Sequence, residues 1–148
     1  MPSSNLRKGR HCIAGHFYML TSNTLDREPI FRDLRTGRIL VQEMRKAQAD
    51  GMVKSLAWVI MPDHLHWLVQ LQAGTLCALM RQVKSRSTRL INRQLNRSGA
   101  LWQKNFHDRA VRRDEDLKSL ARYVLANPLR GGLVKKLGDY ALWDATWL

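Results

Sequence analysis

Two small groups of residues have types and spacings that could do chemistry. His64-Leu65-His66 stands inside the run Met61-Pro62-Asp63-His64-Leu65-His66-Trp67-Leu68-Val69. On a strand, alternate residues point the same way, so both imidazoles would project together while Leu65 enters the core. That geometry suits two ligands on one metal ion. It equally describes two surface histidines on a half-exposed strand. The second group is Tyr123 and Asn127. At this spacing on a helix they share a face. At about 100° per residue, both fall at one edge of a Leu117-Leu120-Val124 stripe, where the helix would meet a sheet. Taken alone, Tyr123 reads more simply as a boundary aromatic with its hydroxyl in water, and Asn127 as a C-terminal helix residue before Pro128.

The elements that must position these groups can be read in order. A first strand is expected over His16 to Ser22. Asp33 can cap a helix carrying Leu40, Val41, Met44 and Ala47, with Gly51 as its left-handed terminator. The apolar runs Ser55 to Met61 and His64 to Leu71, split by Pro62-Asp63, read as a tight hairpin. Thr75 can cap the longest helix, which buries Leu76, Met80, Val83, Leu90 and Ile91 and ends at Gly99. A short strand is expected over His107 to Arg112. A last helix would start with Asp114 as cap and Glu115 and Asp116 at its positive end, bury Leu117, Leu120, Ala121, Val124 and Leu125, and stop at Pro128. The order β-α-β-β-α-β-α predicts an α+β fold, a ferredoxin-like antiparallel sheet with helices on one face and one helix appended. No linker divides the 148 residues, so one domain is expected, with residues 1–12 as a basic arm.

Charge says what such a domain meets. The chain has 25 Lys+Arg against 12 Asp+Glu, a net +13. A polyanion is the natural partner for that surface, because each neutralised phosphate releases a counterion. Arg86, Arg89, Arg93 and Arg97 recur at helical spacing and form a candidate phosphate-binding stripe, although charged helix faces are commonly just solvated. No stretch has the roughly 18 apolar residues that a membrane span needs, so no membrane role is expected. The two cysteines, Cys12 and Cys77, form no motif, which suits a cytoplasmic chain with reduced thiols. Trp58, Trp67 and Trp102 could stack bases, yet Trp58 and Trp67 fit the core better. His107 reads first as a strand histidine satisfied by hydrogen bonds. With no Gly-x-x-x-x-Gly-Lys loop in the sequence, no nucleotide cofactor is expected.

Joined, the two chemical groups resemble a known pattern. Met61-Pro62-Asp63-His64-Leu65-His66 is similar to the histidine-hydrophobe-histidine motif of the single-tyrosine HUH transposases. Tyr123-Val124-Leu125-Ala126-Asn127-Pro128 is similar to their nucleophile helix. Gly9-Arg10, Leu101-Trp102-Gln103 and Phe106-His107-Asp108-Arg109 extend the resemblance to the REP-associated tyrosine transposases, from about Gly9 to Val134. Asp63 stands where the family more often has Asn, and Ile13 to Thr24 matches only approximately.

The resemblance implies a metal-dependent endonuclease and strand transferase acting on single-stranded or hairpin DNA of repetitive palindromes. Tyr123 would be the nucleophile that forms a 5′-phosphotyrosine. His64, His66 and Asn127 would bind one Mg²⁺ or Mn²⁺ ion, and Arg10 and Arg109 would join the arginine stripe as DNA contacts. A monomer is expected in preference to a homodimer that shares its site. The rival readings are a non-catalytic single-strand binder of RRM-like architecture and a hydrolytic metal nuclease for which Tyr123 would be dispensable.

Overall fold

The structure, a computed structural model, describes residues 12–112 and 116–145. Its order is β1 (Phe17–Asn23), two short 3-10 turns (Leu25–Arg27 and Ile30–Arg32), α1 (Leu34–Ala49), β2 (Val53–Met61), β3 (His64–Leu71) and α2 (Leu76–Leu95). Then follow β4 (His107–Ala110), α3 (Leu117–Leu125), the single turn α4 (Asn127–Arg130), a third 3-10 turn (Leu137–Asp139) and β5 (Trp143–Ala145). The strands lie in the order β4-β1-β3-β2-β5, and every pairing is antiparallel. The α+β, ferredoxin-like expectation holds for the first four strands. β5, three residues long, adds an edge beside β2.

Local signals explain most boundaries. The Asp33 carboxylate accepts from the Arg35 N–H at 2.9 Å and starts α1. Thr75 accepts from the Ala78 N–H at 3.0 Å and starts α2. Gly51 follows α1 with φ +77°, the left-handed value that glycine adopts without strain. Two expectations fail on α2. The helix stops at Leu95 because Asn96 turns left-handed at φ 52°, a conformation that asparagine tolerates, so Gly99 lies beyond the end. Leu79 is buried where Leu90 was expected, and Leu90 is only half-buried.

Helices cover both faces of the sheet, which corrects the one-face expectation. Tyr18, Leu20, Ile60, Leu65, Trp67 and Val69 point towards α1 and α2 and form the main core with Leu40, Met44, Leu79, Met80 and Val83. On the opposite face, Leu56, Ala57, Val59, Met61 and Leu68 meet Ala121, Val124 and Leu125 of α3. The reason is visible in β2, where Leu56 to Met61 are apolar without alternation, as in a strand buried on both sides. A base-stacking module of the RRM kind needs that second face open, and here α3 occupies it.

Trp58 and Trp67 are core residues as expected. Trp102 is buried too: its ring lies 5.3 Å from that of Phe31, and its Nε1–H donates to Ser87 Oγ at 3.1 Å. None of the three offers a stacking surface to a base. Gly37, inside α1, allows close approach of the C-terminal segment, since a Cβ there would sit 2.5 Å from Leu142 Cδ1.

Candidate active site at the margin of the third helix

Strand register assembles the site. His66 pairs with Thr21 of β1 and Val59 of β2, and Thr21 pairs in turn with His107 of β4. Directly paired residues of antiparallel strands share a face. His107, Thr21, His66 and Val59 therefore form one row across the sheet, with Asn23, His64 and Met61 in the next. This is the face that α3 covers, because Val59 and Met61 pack against Val124. Leu65 enters the main core on the other side, as the alternation required.

The two imidazoles meet edge to face, with ring centroids 4.8 Å apart. His64 Nδ1 lies 2.7 Å from Asp63 Oδ1. A carboxylate only accepts, so Nδ1 carries the proton and Nε2 keeps its lone pair in the neutral ring. His66 Nδ1 shares a hydrogen bond with Thr21 Oγ1 at 2.9 Å, which leaves its Nε2 uncommitted as well. Such partners on the far nitrogen are what fix a ligating histidine. His66 is pushed down to about 4, first by desolvation and then by the charges of His64, Arg130 and Arg27. At neutral pH its ring is thus neutral and able to ligate.

Asp63 is itself held. Burial opposes its ionisation, but hydrogen bonds from Arg27 and His64 outweigh that and keep the carboxyl below its usual range. Arg27 Nε reaches Asp63 Oδ2 at 2.9 Å from a left-handed backbone, φ 54°, that follows a left-handed Asp26. Each such residue costs about 1–3 kcal/mol. Nearby bonds hold the loop in place: the Thr24 N–H donates to the Asp63 carbonyl at 2.9 Å, and the Phe31 N–H to that of Pro62 at 2.9 Å. Asp63 therefore gives His64 a carboxylate partner that has its own counter-ion.

α3 starts with Asp116, which accepts from the Lys118 and Ser119 N–H groups. Asp114 and Glu115, expected to open the helix, lie outside the described residues. Ala121, Val124 and Leu125 face the sheet, while Tyr123 is 65% exposed, well out from the buried stripe. Its ring lies beneath the Arg130 guanidinium, 4.2 Å from Cζ to centroid. Pro128 does not end the helical path, as had been expected. It interrupts α3 at Ala126, and α4 resumes at Asn127. Pro128 has no N–H to give the Val124 carbonyl, and the Asn127 side-chain amide supplies the missing donor at 2.6 Å. With Nδ2 so engaged, Oδ1 is the atom of Asn127 left for a ligand.

The expected arginine stripe divides. Arg86 Nε is bound to the buried Glu43 at 2.6 Å, and Arg97, beyond the helix end, bonds Asn92 Oδ1 at 2.6 Å. Arg89 and Arg93 stay exposed, but α2 lies on the face away from the histidines. Arg109, on β4 opposite Met19, shares the histidine face. Arg10 lies outside the described residues. Among the described residues, no three His, Cys, Asp or Glu side chains cluster closely enough to hold a metal ion. A candidate site therefore needs the amide of Asn127 beside the two imidazoles. Sequence reading missed Thr21, Arg27 and Arg130. Only Arg130 left a sequence signal, its spacing of two helical turns from Tyr123.

Residues 13–127 match the model of the family described as "Transposase IS200 like". The chain belongs to this IS200-like transposase family. The matched span includes His64, His66, Tyr123 and Asn127 and stops before Arg130. The chain is 25% identical over 133 residues to the REP-associated tyrosine transposase of Escherichia coli K12, covering 88% of this chain and 77% of that protein. A solved REP-associated tyrosine transposase bound to a REP hairpin superposes with a TM-score of 0.77 at 24% identity, over 90% of this chain and 79% of that one. A crystal structure from Deinococcus radiodurans shares the fold at a TM-score of 0.57 and 19% identity, over 78% and 93% of the two chains. Among the described residues, no helix of this IS200-like family member is long and apolar enough to cross a membrane.

Proposed function

We propose that this chain is a metal-dependent single-stranded DNA endonuclease and strand transferase that acts on REP-type hairpin ends, with Tyr123 as nucleophile. One observation carries the reading. Two imidazoles with uncommitted Nε2 atoms lie on the sheet face that α3 covers, and α3 presents an exposed tyrosine. The likeness to a relative solved with a REP hairpin supports the substrate class. The net charge of +13 supports a nucleic-acid partner.

The donor set fits a divalent ion: His64 Nε2, His66 Nε2 and Asn127 Oδ1 would hold Mg²⁺ or Mn²⁺. When bound, the ion supplies Lewis acidity at the scissile phosphate. The chain's own part is nucleophilic. The Tyr123 oxygen bonds to phosphorus as the bond from phosphorus to the 3′-oxygen breaks. The phenolic proton is lost, the 3′-oxygen gains one, and a 5′-phosphotyrosine remains. One phosphodiester replaces another, so the step reverses without a nucleotide cofactor when a 3′-OH attacks the tyrosyl phosphate. α3 packs on the sheet of its own chain, which supports a site within one monomer over a site shared between two chains.

The test is incubation with labelled hairpin-ended single strands and Mn²⁺, followed by denaturing electrophoresis and a chase with an acceptor strand bearing a 3′-OH. A covalent adduct that passes its label into a longer strand is expected. Release of 5′-phosphate DNA alone, with no joined product, would instead make the protein a hydrolytic nuclease. Mixing Tyr123→Phe with His64→Ala protein should restore no activity. Recovered cleavage would show a site shared between two chains.

A further inference from the structure

We propose that Arg130 is a second functional group of this site, a guanidinium seated on the Tyr123 ring that takes a non-bridging oxygen of the phosphate under attack. The proposal rests on the reading of Tyr123 as nucleophile. Two observations support it. The first is placement: the guanidinium lies 4.2 Å from the ring centroid, inside the range of a cation–π contact. Arg130 comes two helical turns after Tyr123, and Ala126, at φ −76° and ψ −5°, keeps the intervening backbone right-handed. The residue is anchored, since its N–H donates to Ala126 O at 2.9 Å and the next N–H, from Gly131, donates to Asn127 O at 2.8 Å.

The second observation is the state of its charge. Arg27, Arg35, Arg86 and Arg97 each have a carboxylate partner, at 2.9, 2.8, 2.6 and 3.6 Å. Arg130 forms no ion pair among the described residues, and it is exposed. An exposed cation held in one place by an aromatic ring, with no acid to satisfy it, is ready for an anionic ligand.

This position suits the chemistry. Attack by a phenol on a phosphodiester raises negative charge on the non-bridging oxygens, and a planar guanidinium fork can meet two acceptors at once. A donor already in place where that charge develops needs no reorganisation during the reaction. Stacking also holds the Tyr123 ring with its edge and hydroxyl available, because the arginine uses only one face. A cation merely resting on a surface tyrosine would share the contact but would not respond to DNA.

The experiment uses the full chain labelled with nitrogen-15. The Arg130 Nε–H resonance is assigned by its loss in Arg130→Lys. Ring current should place it upfield, and Tyr123→Leu should return it to the ordinary range. A twelve-residue thymidine oligonucleotide should then move the wild-type resonance. In parallel, Arg130→Gln should slow single-turnover adduct formation on a hairpin-ended strand by about 10²-fold, the usual scale for losing one such donor. Its oligonucleotide affinity should stay within about threefold, since the other basic groups still neutralise phosphates along the strand. Arg130→Lys should recover part of the rate.

An Arg130 resonance that moves while no protein forms an adduct would leave the phosphate subsite standing and remove the tyrosine nuclease reading. A resonance that ignores DNA, or an Arg130→Gln protein that forms adduct at the wild-type rate, would overturn the proposal and leave that reading intact.

Discussion

One face of the sheet carries α1, α2 and a continuous apolar core from Tyr18 to Leu142. The other carries α3 over a narrower apolar strip, with His64, His66, Thr21 and His107 in its rows. The cations differ in the same way. On the α2 side, Lys84 donates to the Gln103 and Asn105 carbonyls, Arg86 binds Glu43 and Arg97 bonds Asn92, so these charges hold loops and helices together. On the α3 side, Arg27 holds Asp63 against His64 and Arg130 lies over Tyr123. The comparison separates two uses of one basic composition. A charge that ends on a carbonyl or a buried carboxylate serves stability, whereas one that ends on a histidine partner or an exposed ring is available to the site.

The largest expected effect lies on the core face. Trp67 is fully buried there, and its Nε1–H donates to Ser55 Oγ at 2.6 Å. Trp67→Ala should cost about 3–5 kcal/mol of stability in denaturant unfolding. A double His64→Ala/His66→Ala protein should lose less, about 1–2 kcal/mol, because each half-buried ring gives up one hydrogen bond but little core packing. Equal losses would mean that the histidines are structural and would break the distinction between the faces.

A smaller effect tests the divided arginines of α2. Removing Arg86 strands the buried Glu43, so Arg86→Ala should lower stability by about 1–3 kcal/mol with little change in the salt dependence of DNA binding. Reversing the exposed Arg89 and Arg93 to Glu should do the opposite. Stability should hold, and the slope of log affinity against log salt should flatten by roughly one for each phosphate that is no longer neutralised. An unchanged slope would confine DNA to the face of the histidines.

These differences also mark what a sequence can carry. Caps at Asp33 and Thr75 and the whole of β3 were legible because their determinants are local: one oxygen acceptor, or one alternating run. β5 was missed because Trp143-Asp144-Ala145 is too short to show a period and exists only by pairing with β2. The two-sided burial of the sheet is written in the unbroken apolar run from Leu56 to Met61, but that run does not say which helix takes the second face. Of the candidate site, His64, His66, Tyr123 and Asn127 stood out by type and spacing. Thr21 and Arg27 could not, because each reaches its partner through register or a left-handed turn far away in sequence. Arg86 and Arg97 read as free charge because their acceptors, Glu43 and the Asn92 amide, become neighbours only after α1 packs on α2 and the chain turns at Asn96.

The role of Tyr123 is the central claim, and one substitution addresses it with little structural cost. Its ring is 65% exposed, so Tyr123→Phe removes a hydroxyl without opening the core. Wild-type and variant proteins are incubated with labelled hairpin-ended single strands and Mn²⁺, resolved under denaturing conditions, and any adduct is digested to locate the modified residue. The expected result is a wild-type adduct mapped to Tyr123, and a Phe variant that forms none while keeping its unfolding midpoint and DNA affinity. A Phe variant that still cleaves at the wild-type rate would contradict it.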